Sequence, residues 1–214
     1  MAASAEARLA EGLEALGLSP APAARLLAYR DLLARWNRVY NLSAIRDPEA
    51  MVERHLLDSL AVIPHLPAGP LLDVGSGGGL PGLPIAIMAP GRPITLLESN
   101  GKKARFLRQA VLELDLAQVS VAHERLEQHT GGPYGVVICR AFSEALAFWR
   151  GTARLLAPGG RALAMKGRRD EMELAALSTE GVSCRVQRLA VPGLDAERHL
   201  LVLGDSGPEH RTAS

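Results

Sequence analysis

The sequence predicts an α/β fold in which a mostly parallel, seven-stranded sheet carries helices on both faces and is preceded by a helical extension. Two patterns predict it. From Pro70 onward, short apolar runs alternate with helix-compatible segments, as strand–helix–strand units require. Before Pro70, leucines recur at helical spacing. With 214 residues the chain is long enough for one ordinary domain with a full core.

The elements follow in order. Leu9, Leu13, Leu16 and Leu18 form one apolar stripe, and Leu26, Leu27, Leu32, Leu33, Trp36 and Tyr40 form a second. Ser19-Pro20-Ala21-Pro22 separates the two helices as a turn. Asp47-Pro48-Glu49 opens a third helix through Met51, Val52, Leu56, Leu57 and Leu60, which Pro64 and Pro67 close. Strands are expected at Leu71–Val74, Ile94–Glu98, Val119–Ala122, Gly135–Cys139, Arg161–Lys166, Ser183–Leu189 and Arg198–Leu203. Helices are expected at Leu83–Ala89, Lys102–Leu114, Glu124–Gln128, Ala145–Leu156 and Glu171–Leu177. Only a short Pro192-Gly193-Leu194-Asp195 segment parts the last two strands, which suits an antiparallel pair at one edge. The expected division is a helical extension over 1–68, a ligand-binding domain over 69–204 and a flexible polar tail over 205–214.

Composition excludes several classes. The chain is 48% hydrophobic and 22% charged, an ordinary globular mixture. No apolar run approaches the roughly 20 residues that span a bilayer, and Met1 to Arg8 lacks the apolar stretch of a signal peptide. Cys139 and Cys184 lie far apart, so neither a zinc site nor a disulfide framework is indicated. A cytoplasmic protein, monomeric and without metal, is the expectation. A net charge of +1 leaves any nucleic-acid footprint to local clusters.

One segment carries chemistry. Asp73 to Gly82 reads Asp-Val-Gly-Ser-Gly-Gly-Gly-Leu-Pro-Gly, with four glycines within five residues directly after a strand and before a helix. Such a loop can press its N–H groups against a ligand, with a helix N-terminus behind it. A dinucleotide fingerprint needs glycines at offsets 0, 2 and 5; counted from Gly75, the third position is Leu80, and the shifted match from Gly77 to Gly82 puts Pro81 inside the turn. The lysine of a phosphate loop is also missing. Asp73 at the strand end followed by Gly75-x-Gly77-x-Gly79 resembles the first motif of class I methyltransferases, which implies S-adenosylmethionine, and the chemistry of the residues suits that ligand. Gly75, Gly77 and Gly79 offer amides to its carboxylate, Asp73 an acceptor for its ammonium, and Glu98, about 20 residues on, an acceptor for its ribose hydroxyls. Asp73 could instead cap the following turn, and Glu98 the helix near Lys102.

The chain resembles the bacterial family of small-subunit ribosomal RNA methyltransferase G, also called glucose-inhibited division protein B. The residues that carry the resemblance run nearly end to end: Trp36-Asn37-x-x-Tyr40-Asn41-Leu42, Arg46-Asp47-Pro48, Arg54-His55-x-x-Asp58-Ser59, the glycine loop, Gly101-Lys102-Lys103, Arg140-Ala141-Phe142, Met165-Lys166-Gly167 and Glu197-Arg198-His199-Leu200. The resemblance implies a Rossmann-like class I methyltransferase that moves a methyl group from S-adenosylmethionine to N7 of a guanine in the 530 loop of 16S ribosomal RNA. Its implied partner is 16S RNA or the small ribosomal subunit. It also implies cofactor contacts at Gly75, Leu80, Leu126, Glu127 and Arg140. Gly78 stands where the family more often has Ala or Pro. A methyltransferase for a small molecule or protein, and a non-catalytic nucleotide-binding module, remain alternatives.

The residue types fit that chemistry. Leu80 would supply apolar contact beneath the cofactor, Leu126 and Glu127 backbone groups to the adenine edge, and Arg140 a guanidinium for a carboxylate or an RNA phosphate. Guanine N7 has a lone pair and no proton to lose, so no catalytic base is assigned. Cys139 lacks the context of a nucleophile and is expected to end a buried strand. Arg46, Arg54, His55, Lys166 and Arg168 are candidates for RNA contact, with Lys102, Lys103, Arg105 and Arg108 as a further cluster. Trp36 and Tyr40 could stack on a base but have the spacing of core residues, and His55 and Asp58 are expected to form a local pair.

Overall fold

A computed structural model describes residues 4–204 of the chain; the tail expected over 205–214 lies outside them. The strands are β1 Leu71–Val74, β2 Ile94–Leu97, β3 Val119–Ala122, β4 Tyr134–Arg140, β5 Leu156–Lys166, β6 Ser183–Arg188 and β7 His199–Gly204. They form one sheet in the order β3-β2-β1-β4-β5-β7-β6. The first five pair in parallel, and β7 runs antiparallel between β5 and β6, as the short connection before it predicts. Gly204 is the last residue of β7 and opposes Ser183.

Strand side chains alternate between two apolar layers. Leu71, Val136, Ile138 and Leu163 face a layer filled by α1 Ala5–Ala15, α2 Ala23–Tyr40, α4 Gly82–Met88 and α5 Gly101–Glu113. The short helix α3, Asp58–Leu60, belongs to the same layer. Leu72, Val137, Cys139, Ala162 and Ala164 face the other, against α6 Ala145–Thr152 and α7 Glu171–Thr179. Both faces being covered, the central strands read as nearly unbroken apolar runs. Burial of each leucine contributes about 1.5–3 kcal/mol, so the sheet is held by its two layers together. Helix starts follow local chemistry: Ser4 Oγ accepts from the Ala7 amide, Asn100 Oδ1 from Lys102 and Lys103, and Asp170 Oδ1 from Met172. Asn100, not Glu98, therefore caps α5. Among the described residues no helix is long and apolar enough to cross a membrane.

Three segments depart from expectation. The third helix is π-helical over Val52–Leu57 before the single α-turn of α3. Its wider turn takes His55 and Asp58 to different partners instead of pairing them. Glu124–Gln128 is no α-helix: Glu124 turns its carboxylate to His129 Nδ1 at 2.6 Å, and only a 3-10 turn, Leu126–Gln128, forms. The helix expected to reach Leu156 stops at Thr152, whose hydroxyl donates back to the Phe148 carbonyl at 2.7 Å. Leu156 then starts β5 opposite Tyr134, five residues before the expected Arg161, across a register irregularity.

Candidate functional site

β2 lies on one side of β1 and β4 on the other, so the chains leaving β1 and β4 diverge and open a crevice at the carboxyl edge of the sheet. The glycine loop forms one wall. Gly75 and Gly77 have φ of +69° and +55°, conformations that L side chains rarely adopt. A Cβ on Gly75 would meet nothing within 4 Å, and one on Gly77 only the Gly75 carbonyl at 3.7 Å. No side chain stands between this backbone and the cavity. Gly79 serves packing instead, since a Cβ there would lie 2.3 Å from Leu83.

Other elements hold the loop in place. Glu98 Oε2 accepts from the Gly77 amide at 2.9 Å and Oε1 from Asn100 at 2.8 Å. From α2, Tyr29 donates its hydroxyl to the Gly78 carbonyl at 2.6 Å. Beneath the loop Asp73 Oδ2 accepts from the Gly82 amide at 3.0 Å, where a Cβ on Gly82 would stand 2.7 Å from that oxygen. Burial pushes the Asp73 carboxyl up to about 7, against the pull of the Gly82 amide.

The opposite wall is ionic. Asp58, only 4% exposed, accepts from Arg198 Nε at 2.7 Å and from Arg140 Nη1 at 3.2 Å, one carboxylate oxygen to each. Arg140 ends β4, while Arg198 precedes β7, whose antiparallel direction brings its start to the carboxyl edge. Behind Asp58, His55 Nδ1 donates to the Arg54 carbonyl at 2.8 Å, and Nε2 accepts from Ser43 Oγ at 2.7 Å. These partners define the neutral imidazole. Burial, with the charge of Arg140 acting in the same direction, lowers its pKa to about 4.

Between the walls lies a cavity of about 550 Å³. Of the residues singled out from the sequence, Gly75, Gly77, Leu80, Arg140, Arg54, His55 and Lys166 line it, as does Lys103. Others are elsewhere. Asp73 is fully buried below the loop, Gly79 packs on Leu83, and Glu98 stands beside the loop with each oxygen already accepting one amide. Leu126 packs into the second apolar layer with its carbonyl bound by Arg154 at 2.8 Å, and Glu127 is exposed next to it. Neither lines the cavity. Lys166 is engaged by Glu173 at 2.7 Å and by the Phe142 carbonyl at 3.0 Å, so it ties β5 to α7 and the loop after β4. Arg46 binds Asn41 Oδ1 at 2.9 Å and Arg168 is exposed, both away from the cavity lining. Trp36 stacks on Tyr40 and meets Phe106, as core spacing predicts. Cys139 is buried at the end of its strand, and burial keeps its thiol well above the ordinary range. Arg198 and Ser43 are site residues that spacing did not single out, and Asp58, which spacing paired with His55, instead serves the two arginines. The signal for Arg198 was present, because an antiparallel last strand must begin at the functional edge.

S-adenosylmethionine fits these residues on two observations. Gly75 and Gly77 leave an open cradle of backbone, and the buried Asp73 Oδ1 has no hydrogen-bond partner among the described residues. The amides expected to meet the carboxylate are engaged within the protein, Gly75 with the Leu97 carbonyl, Gly77 with Glu98 and Gly79 with the Ser76 carbonyl. The loop would therefore hold the methionine portion by its shape, with Leu80 beside it and Arg140 for the carboxylate, and Glu98, whose oxygens each keep acceptor capacity, would hold its sugar.

Similar folds occur in solved structures. One is a glycopeptide N-methyltransferase complexed with S-adenosyl-L-methionine, at TM-score 0.62 and 12% identity, covering 72% of this chain and 88% of that one. Another is magnesium protoporphyrin IX methyltransferase from Synechocystis, at TM-score 0.56 and 21% identity, covering 79% and 89%. These likenesses show the fold, that of the class I methyltransferases. The family model described as rRNA small subunit methyltransferase G matches residues 23–201. Proteins named ribosomal RNA small subunit methyltransferase G are similar over most of their length. That of Alkalilimnicola ehrlichii is 52% identical over 193 residues, 89% of this chain and 88% of that one. That of Leptothrix cholodnii is 51% identical over 201 residues, covering 90% and 92%. This chain belongs to the rRNA small subunit methyltransferase G family.

Proposed function

We propose that the protein methylates N7 of a guanine in the 530 loop of 16S ribosomal RNA, using S-adenosylmethionine, and that it does so as a cytoplasmic monomer. The observation that carries this reading, beside the family match, is a cavity with bare backbone on one wall and the Arg140–Asp58–Arg198 array on the other. When bound, S-adenosylmethionine supplies an electrophilic methyl group on a sulfonium. Everything else falls to the chain's own side chains and backbone.

Guanine N7 brings its own lone pair and sheds no proton, so no group in the cavity has to accept one. His55 is placed accordingly: it is neutral, with Nδ1 and Nε2 both occupied by Arg54 and Ser43. The work is orientation, whose effect in well-aligned reactions is on the order of 7–11 kcal/mol. The Gly75–Gly78 backbone sets one reactant, clamped by Glu98 and Tyr29. Arg198 faces the other and suits an RNA phosphate. Methylation at N7 leaves the base cationic, and Asp58, by neutralising part of the arginine charge, keeps the wall from repelling it. Leu80, Ala141 and Met165 keep the lining partly dry.

Small subunits from cells lacking this protein, incubated with it and with methyl-labelled S-adenosylmethionine, test the reading. Label should enter 16S RNA at one guanine that becomes cleavable by borohydride and aniline. Label confined to protein or small metabolites would reject it.

A further inference from the structure

We propose that the outer face of α5 is a second RNA contact, a phosphate-binding track that runs outward from the rim of the catalytic cavity. It rests on the ribosomal RNA reading and extends it to a surface outside the cavity. Lys102, Arg105, Arg108 and His123 line one shallow concavity with Asn100 and Gly101, and all four side chains are exposed. No acid lines it. Among the described residues, Lys102, Arg105 and Arg108 have neither an ion pair nor a side-chain hydrogen bond.

The neighbouring acids are engaged elsewhere. Glu113, the one acid in α5, stands at its far end and pairs with Arg35 at 3.1 Å. Glu98 gives its oxygens to the Gly77 and Asn100 amides. In a chain with a net charge of +1, three uncompensated cations on one helix face are a local excess. The surface is also continuous with the site. Lys103, on the same turn as Lys102, lines the cavity, and Asn100 connects through Glu98 to the glycine loop. From Lys102 to Arg108 is about 9 Å along the helix at 1.5 Å per residue, so the cations form a row instead of one point. Such a row suits the repeated phosphates of an RNA strand leaving the cavity, giving affinity without reading sequence.

The test compares the full-length protein with the triple variant K102Q/R105Q/R108Q and with R105Q alone. R185Q, an exposed arginine on β6 at the opposite edge of the sheet, controls for net charge. Binding of a labelled single-stranded RNA oligonucleotide is followed across salt concentrations, and methyl transfer to small subunits is followed at fixed salt. Each removed cation should flatten the salt slope by about 0.7. At low salt the triple variant should raise KM for small subunits on the order of tenfold. Its kcat and its affinity for S-adenosylhomocysteine should stay as in the wild type, and R185Q should change neither quantity. Equal slopes in wild type and triple variant would overturn the proposal. So would a KM defect on subunits without any change in RNA binding, since that would assign the face to a ribosomal protein. If the wild type transfers no methyl to subunits, the ribosomal RNA reading fails separately, and the oligonucleotide slopes still judge this surface.

Discussion

Asp58 is the hinge of the ionic wall, and Asp58→Asn tests that wall with little change of shape. In the native protein its two oxygens serve two guanidinium groups, at 2.7 Å and 3.2 Å. Asparagine keeps one acceptor oxygen and replaces the other by an amide NH2, which faces an arginine as donor against donor. Hydrogen bonds to charged groups contribute about 1.5–3 kcal/mol each, so losing one and weakening the other removes roughly 2–4 kcal/mol. The two arginine side chains are 22% and 27% exposed, and water can resolvate part of what they lose. A net loss of about 2 kcal/mol follows, below the 3–5 typical of a fully buried pair broken on one side. For a chain of this size that lowers Tm by about 4–8 °C. Urea unfolding at pH 7.5 should show an earlier midpoint at unchanged m, and added salt should narrow the gap by screening Arg140 from Arg198. A change under about 0.5 kcal/mol, or a gap indifferent to salt, would refute the account of Asp58 as a shared counter-ion.

Three further outcomes are expected. The His55 imidazole is held down at about 4, so the folded state takes up its proton less readily than the unfolded chain; stability present above about 6.5 should fall as pH drops from there toward 4, and an unfolding series on His55→Gln should show a shallower fall, an equal slope removing His55 as its source. In Gly82→Ala the new Cβ would stand 2.4 Å from Leu96 and 2.7 Å from Asp73 Oδ2, an overpacking of about 1–3 kcal/mol that chemical denaturation should read; wild-type stability would mean that the loop base has room. Gly77→Val places a β-branched residue at φ +55°, a strain on the order of 1–3 kcal/mol together with a side chain in the cradle, and calorimetry should find S-adenosylhomocysteine binding lost from a folded protein. Retained binding would place the ligand away from this loop.

Much of the architecture was legible because strand burial on two faces leaves unbroken apolar runs, and helix burial on one leaves stripes. β1 was placed to the residue, and the direction of β7 followed from the short connection before it. Segments whose geometry is set by one side chain were not legible. Glu124 turns to His129 where a helix was expected, and Thr152 bonds back to Phe148 at the end of α6, hydrogen bonds that periodicity does not encode. The π-turn at Val52–Leu57 broke the local pair expected for His55 and Asp58.

By itself, then, the sequence determined the alternation of strands and helices and the glycine-rich corner, because the hydrophobic period and a lack of side chains are local properties written residue by residue. Only the tertiary structure decided that Asp73 lies beneath the loop, that Glu98 clamps it, and that Lys166 is bound to Glu173. It also joined Asp58 to Arg140 and Arg198, which stand 82 and 140 residues away along the chain. A charge's partner is whatever the fold places within about 3 Å of it, and chain spacing carries no record of that distance.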